Sequence, residues 1–312
     1  MILANIQSTS APILSNRLDE LLDKFVGDLD IKQNSRNLYR RTLDIYFNWI
    51  SDKGYSLSDV TRTELLQYKE HLLATRKSSL TTGSYITSLR RFYEWAEANK
   101  YYPNISKGVK TPKRVQEFKK MPLLPSQVTE LLNYFSKKNL RDYAIISLLV
   151  RTGLRTIELT RADIGDITFK GSQRVLMVQG KGRDEKDNYV ILTDKAYKVI
   201  SDYLVTRVNA INTEPLFISS SNNNKGERLD TRTISYIAKE GLRAIGLDNK
   251  LFTAHSLRHT AIVNSRRGGA TLEQAQTFAR HSNPATTQIY DKIFRDEDRL
   301  KNSAELLLDS IY

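Results

Sequence analysis

Apolar residues return at three- and four-residue intervals through most of the first hundred positions, a period that fits helix and not strand. Leu18, Leu21, Leu22 and Phe25 stand at i, i+3, i+4 and i+7, the inward stripe of an amphipathic helix. A second helix is expected from about Ser35 to Lys53, stopped by Gly54, with Leu38, Thr42, Ile45, Phe47 and Trp49 mostly inward. Thr61 and Glu64 form a capping box, a hydroxyl at the N-cap and a carboxylate three residues on, that opens a third helix reaching about Thr75. A fourth, from about Leu80 to Asn99, sets Tyr85, Leu89, Phe92, Tyr93 and Trp95 among Arg90 and Arg91. The expectation is a basic four-helix bundle over 15–101, behind an N-terminal extension 1–14.

The pattern then breaks. Between residues 102 and 122 come Pro103, Pro112, Pro122, Gly108 and a run of lysines and arginines with few apolar residues, which reads as an extended basic linker. A second domain is expected over 123–312. Ser126 is expected to cap a short helix, and Leu140 to Thr152 to form a strongly apolar one stopped by Gly153. Helix follows again through Arg155 to Arg161. The period next shortens to two, so Asp166–Phe169, Val175–Val178 and Tyr189–Leu192 are expected to pair as a small antiparallel sheet. The Gly- and charge-rich turn Gly180–Asp187 joins the last two. From Asp194 onward helix resumes, interrupted at Ser219–Gly226. The fold class is therefore mainly α, with one small sheet.

Charge points to a partner. The chain carries 48 Lys plus Arg against 35 Asp plus Glu, a net +13. The excess is shared: +5 up to residue 118, from 18 basic and 13 acidic residues, and +8 beyond it, from 30 and 22. Two basic globular halves suit a polyanion gripped from two sides, because neutralised phosphates release their counterions. The absence of cysteine removes disulfides, thiol nucleophiles and cysteine-ligated metal. The longest apolar stretch, Tyr143 to Val150 broken by Ser147, is far short of the roughly 20 residues a bilayer span needs. No secretory signal opens the chain, so a cytoplasmic protein without membrane attachment is expected.

Three of the four histidines, His255, His259 and His281, fall near the C-terminus in the company of arginines. His255 and Arg258 are three apart on a helix and project together. His255 and His259 have the spacing of a zinc pair, but no glutamate follows as in His-Glu-x-x-His, and an arginine between them repels a dication. No metal is expected. An anion fits better, since the planar guanidinium fork matches a phosphate bidentately. Arg155 lies just after the Gly153 stop, with Glu158 three residues on, where a carboxylate can orient the guanidinium or merely satisfy a surface ion pair. Lys181, between Gly180 and Gly182, sits where a flexible cation could reach a ligand. Ser282 and Pro284 read as a helix start that carries Tyr290 about two turns in. His259 is assigned to structure, as a buried hydrogen-bonding residue.

Taken in order, Arg155, Lys181, His255-x-x-Arg258, His281 and Tyr290, with eight residues between the last two, resemble the tyrosine recombinases, the phage integrase and Xer-type site-specific recombinases. The resemblance covers about residues 15–312. It implies a helical SAM-like core-binding domain and a catalytic domain that together form a C-shaped clamp on double-stranded DNA. Tyr290 would be the nucleophile, leaving a 3′-phosphotyrosyl link that needs neither ATP nor any cofactor or metal. Arg155 and Arg258 would clamp the non-bridging oxygens as charge accumulates on them, with His281 adding a hydrogen bond. His255 would assist the phenolic proton, and Lys181 would protonate the departing 5′ oxygen. The apolar tail Ala304–Leu308 would dock on a neighbouring protomer of a tetramer or fold back in cis. The expected role is the integrase of a mobile element, with chromosome dimer resolution or DNA inversion as alternatives. A topoisomerase-like nicking enzyme and a non-cleaving DNA-binding protein are the rival readings. With the bundle starting near residue 15, no separate arm-binding domain is expected.

Two departures stand out. Arg280 precedes His281 where the family usually has glycine. The hairpin after Lys181 is about two residues longer than the common form, which leaves Lys186 as a substitute acid.

Overall fold

The computed structural model describes residues 11–75, 77–113, 120–180, 182–301, 303–309 and 311–312, without the side chains of 11–17, 291–293, 297, 298 and 301. The chain divides into two compact units, Met1–Gln116 and Glu117–Tyr312.

The first unit is four helices: α1 (Ala11–Asp28), α2 (Gln33–Asp52), α3 (Arg62–Ala74) and α4 (Ser79–Ala98). Helix α1 begins at Ala11, ahead of the expected start. Thr61 accepts from the Thr63 amide while Glu64 takes the Thr61 amide at 2.7 Å, so the expected capping box opens α3. The core is aromatic: Phe25, Tyr46, Tyr68, Phe92 and Tyr93 are fully buried, and the hydroxyls of Tyr46 and Tyr93 satisfy each other at 2.8 Å. The inward face of α2 is corrected. Thr42, Leu43, Tyr46, Phe47, Trp49 and Ile50 are buried, whereas Leu38 and Ile45 are exposed. At 100° per residue those two lie at the edge of the stripe centred on Tyr46.

The stretch expected as an extended linker is partly built into the two units. Val109 and Ser106 are buried, and the Tyr102 hydroxyl donates to the Val60 carbonyl at 2.7 Å. At the other end the Met121 amide donates to the Leu251 carbonyl at 3.1 Å, just before the buried Leu123 that opens the second domain.

The second unit is organised on α6 (Leu140–Thr152), whose residues from Ala144 to Val150 are all buried. Ile145, Ile146, Leu148 and Leu149 each contribute roughly 1.5–3 kcal/mol of burial. Around α6 pack α5 (Pro125–Ser136), α8 (Asp194–Val205), α9 (Thr231–Ala244) and α10 (Ala254–Arg267). The start of α5 is corrected: Leu124 is the N-cap and Pro125 the first helical residue, the position where a missing amide hydrogen costs nothing, so Ser126 lies inside the helix. Strands β1 (Ile167–Lys170), β2 (Gln173–Val178) and β3 (Asn188–Ile191) form the expected antiparallel sheet in the order β1-β2-β3, with Leu176 opposite both Ile167 and Val190. After α8 the chain is non-helical up to Asp230, a longer interruption than Ser219–Gly226 alone. Helices α7 (Thr156–Thr160), α11 (Leu272–Ala279), α12 (Pro284–Lys301) and α13 (Ala304–Leu308) complete the unit. Among the described residues no helix is long and apolar enough to cross a membrane.

Candidate active site

The site is built on two helix ends and one helix face. Helix α6 stops at Gly153, which turns left-handed (φ 59°). A Cβ there would lie 3.0 Å from the Phe278 ring, so glycine is required for both conformation and space. The turn delivers Arg155 to the N-cap of α7. Glu158, buried in the first turn, takes the Arg155 amide at 2.8 Å on one oxygen and Arg155 Nη1 at 2.7 Å on the other. A carboxylate orienting Arg155, expected from its i+3 position, is thus present.

On α10, His255 and Arg258 share a face, and both line a cleft of about 880 Å³ with Arg155, Lys120, Lys239 and Lys250. Arg258 is almost wholly buried. Its two terminal nitrogens donate to the main-chain carbonyls of Gly153 and Ala279, which fixes the plane of the fork. Burial depresses its pKa, and the charges of Arg155 and Arg280 depress it further, with Glu158 opposing. The free site therefore holds more positive charge than it compensates, a standing attraction for an anion.

His281 follows the end of α11. Its Nδ1 meets Thr287 Oγ1 of α12 at 2.9 Å. Burial, and then Arg258, Arg155 and Arg280, push its pKa down to about 3. It is thus a neutral ring at physiological pH and a hydrogen-bond donor rather than a cation. When the Thr287 hydroxyl donates to Nδ1, Nε2 carries the proton. His255 faces the cleft, its pKa lowered by desolvation and then by Arg258, Arg155 and Lys120.

Tyr290, on α12, is buried with Ile262, Val263 and Ala279. Its ring stacks on His281, centroids 5.8 Å apart, and meets His259 edge-on at 4.9 Å. Burial raises the phenol's pKa against the lowering pull of Arg258 and Arg155. Both guanidiniums thus act on this hydroxyl within one chain. The start of α12 is corrected: Asn283, not Ser282, caps it, accepting the Ala285 amide at 2.9 Å, because Pro284 takes the first helical position. His259 is buried beneath, Nδ1 3.3 Å from the Lys120 carbonyl, in the structural position expected for it.

Lys181 lies outside the described residues. The loop that carries it is anchored on either side, by Arg161 donating to the Gly180 carbonyl at 3.1 Å and Gln179 to the Arg183 carbonyl at 2.9 Å. Lys186 is committed to two carboxylates, Asp163 at 2.6 Å and Asp166 at 2.5 Å. Thr287 is the residue that sequence reasoning gave no role. Its signal was the Thr-x-x-Tyr spacing, which sets a hydroxyl three residues before Tyr290 on the same helix turn.

The model of the phage integrase family matches residues 122–296, and that of the phage integrase N-terminal SAM-like domain matches 18–100. The chain belongs to the phage integrase family and is a tyrosine site-specific recombinase. Among curated proteins, this recombinase is 27% identical over 299 residues to tyrosine recombinase XerC of Corynebacterium glutamicum, covering 93% of this chain and 92% of the relative. It is 29% identical over 297 residues to tyrosine recombinase XerD of Staphylococcus epidermidis, covering 90% and 95%. The same fold is found in the XerH site-specific recombinase bound to a palindromic difH substrate (TM-score 0.73, 19% identity, 96% of this chain and 85% of that one). It recurs in a lambda integrase dimer bound to a COC′ core site (TM-score 0.67, 16% identity, 93% and 83%).

Proposed function

We propose that this recombinase cleaves double-stranded DNA at specific sites through Tyr290, holds the 3′ phosphate as a phosphotyrosyl ester, and rejoins it to the 5′ hydroxyl of another strand. The observation that carries the reading is the meeting of Arg155, His255 and Arg258 in one cleft, with Tyr290 held against His281 under the charge of both arginines. As the phenolic oxygen attacks, negative charge grows on the non-bridging oxygens. The Arg155 and Arg258 forks and the neutral His281 donor stabilise it, without reorganising at the moment of reaction. His255, on the cleft side, accepts the phenolic proton. Lys181 supplies a proton to the 5′ oxygen as the P–O5′ bond breaks. The phosphoester energy is conserved, so no ATP, cofactor or metal enters.

The role we propose is integration and excision of a mobile element, by a tetramer assembled on two DNA duplexes in the cytoplasm. The exposed Leu306, Leu307 and Leu308 of α13 support docking of that tail on a neighbouring protomer. The near end-to-end match to the XerC and XerD relatives favours a second reading, chromosome dimer resolution. A nicked suicide duplex carrying the element's end sequences, set beside one carrying a chromosomal recombination site, tests both. The expected result is a covalent adduct on the element site that is lost in Tyr290→Phe, with recombinant joints as product. An adduct that survives in Tyr290→Phe overturns the mechanism. On a supercoiled plasmid carrying the site, relaxed circles without recombinant joints favour topoisomerase action, and strand exchange on the chromosomal site alone moves the role to dimer resolution.

A further inference from the structure

Arg280 occupies a position that is costly by every local measure. It caps α11 in the left-handed conformation (φ 54°, ψ 45°), which disfavours any residue with a Cβ. Its side chain is 92% buried, and the Nε hydrogen has no partner among the described residues. Glycine would remove all of these costs.

What the guanidinium touches gives it a use. Its Nη2 donates to Glu158 Oε2 at 2.8 Å and to the Gly153 carbonyl at 3.2 Å, while Nη1 donates to the Phe278 carbonyl at 2.9 Å. Glu158 is the carboxylate that holds Arg155, through its other oxygen, and the Gly153 carbonyl also accepts from Arg258. Arg280 therefore touches the supports of both arginines that face the cleft, while not lining the cleft itself.

We infer that Arg280 is a positioning residue for DNA cleavage, a third guanidinium that locks the Glu158 carboxylate and shares its charge, so that Arg155 is held in place yet left free to bind phosphate. Without it, Oε2 of Glu158 keeps only the Arg155 amide. The carboxylate can then swing and draw the Arg155 fork towards itself, in competition with the phosphate. With it, Glu158 serves two cations, and Arg155 retains uncompensated charge for the scissile group. The left-handed turn at Arg280 also leads directly into His281, whose amide donates to the Gln276 carbonyl at 3.2 Å, so the same residue couples three elements of the site.

The inference rests on the phosphate-clamp reading above, and the experiment separates the two. Single-turnover cleavage is measured at saturating suicide duplex for the full chain and for Arg280→Gly, Arg280→Lys, Arg155→Ala and Tyr290→Phe. The scissile group is either a phosphodiester or a methylphosphonate, which lacks the negative charge. Arg280→Gly keeps the turn and removes only the side chain. It is expected to cut the phosphodiester rate by about 10- to 100-fold, with DNA affinity within about threefold of wild type. On the uncharged methylphosphonate the deficit should shrink to about threefold or less, as for Arg155→Ala, because there is less charge to stabilise. Wild-type rates in Arg280→Gly, or an equal deficit on both substrates, overturn the inference. Should Arg280→Gly fail to fold by circular dichroism, Arg280→Lys decides the matter in the same way, because one nitrogen on a shorter side chain replaces Nη1 and Nη2, which together make the three contacts. Full activity in Arg155→Ala, or an adduct in Tyr290→Phe, would instead overturn the clamp reading itself.

Discussion

Acid should unfold the second unit well before the first, and the histidines around Tyr290 set the size of the effect. His259 and His281 are held at pKa values of about 4 and about 3, each chiefly by burial. In the unfolded chain both return to about 6.5. A depressed folded pKa means that the unfolded state binds more protons below pH 6.5, so stability is complete above that value and falls as the pH drops. Between pH 7 and pH 5 each histidine costs about 2 kcal/mol, roughly 3–4 kcal/mol together. With a urea dependence of about 2 kcal/mol per M, the unfolding midpoint of this unit should fall by roughly 1.5–2 M. The chain provides its own control. Both tryptophans, Trp49 and Trp95, belong to the first unit. Tryptophan fluorescence thus follows the bundle alone, while far-UV circular dichroism follows both units. The dichroism transition of the second unit should move with pH while the fluorescence transition moves little, and His259→Gln should remove about half of the shift. A dichroism midpoint that moves by less than about 0.5 M between pH 7 and 5 would refute the reasoning.

Four further outcomes are expected. Thr287→Val, which removes the hydroxyl against His281 Nδ1, should lower the cleavage rate about tenfold while changing stability by no more than about 1 kcal/mol, as a single-turnover assay and a urea melt will show. Lys181→Ala should slow cleavage and recover on a 5′-bridging phosphorothiolate, whose sulfur departs unprotonated. Lys186→Ala, which breaks ion pairs to Asp163 and Asp166, should show no such recovery, and a recovery there would make Lys186 the acid. Gly241→Ala would set a Cβ 2.2 Å from Phe135 Cε2 and 2.7 Å from Leu131 Cδ1. It should destabilise the second unit by about 1–3 kcal/mol in urea titration, with no direct effect at the cleft.

Local rules were legible in the sequence wherever one short segment satisfied its own chemistry. The Thr61–Glu64 box, the Gly153 stop, the three-stranded meander and the i, i+3 pairing of His255 with Arg258 all depend on neighbours a few residues away, and all stand in the structure. Where two local signals competed the outcome was less legible. Pro125 displaced Ser126 at the start of α5, and Pro284 displaced Ser282 at the start of α12, because proline takes the first helical turn and moves the cap to the residue before it. Leu38 and Ile45 looked inward by type, yet which apolar residues at the edge of a helical stripe are covered depends on the helices packed beside it.

Residue types and their order along the chain thus determined the family, the helical class and the identity of the groups around Tyr290. Their protonation and aim were decided only by the fold. His281 is neutral because it is buried, and because Arg258 and Arg155 from distant segments add their charge to that of the adjacent Arg280, and Arg155 is aimed because Glu158 is shared with Arg280, 122 positions along the chain. Electrostatic effects of this kind depend on distance and burial in three dimensions, and neither quantity is written in the spacing of residues along a chain.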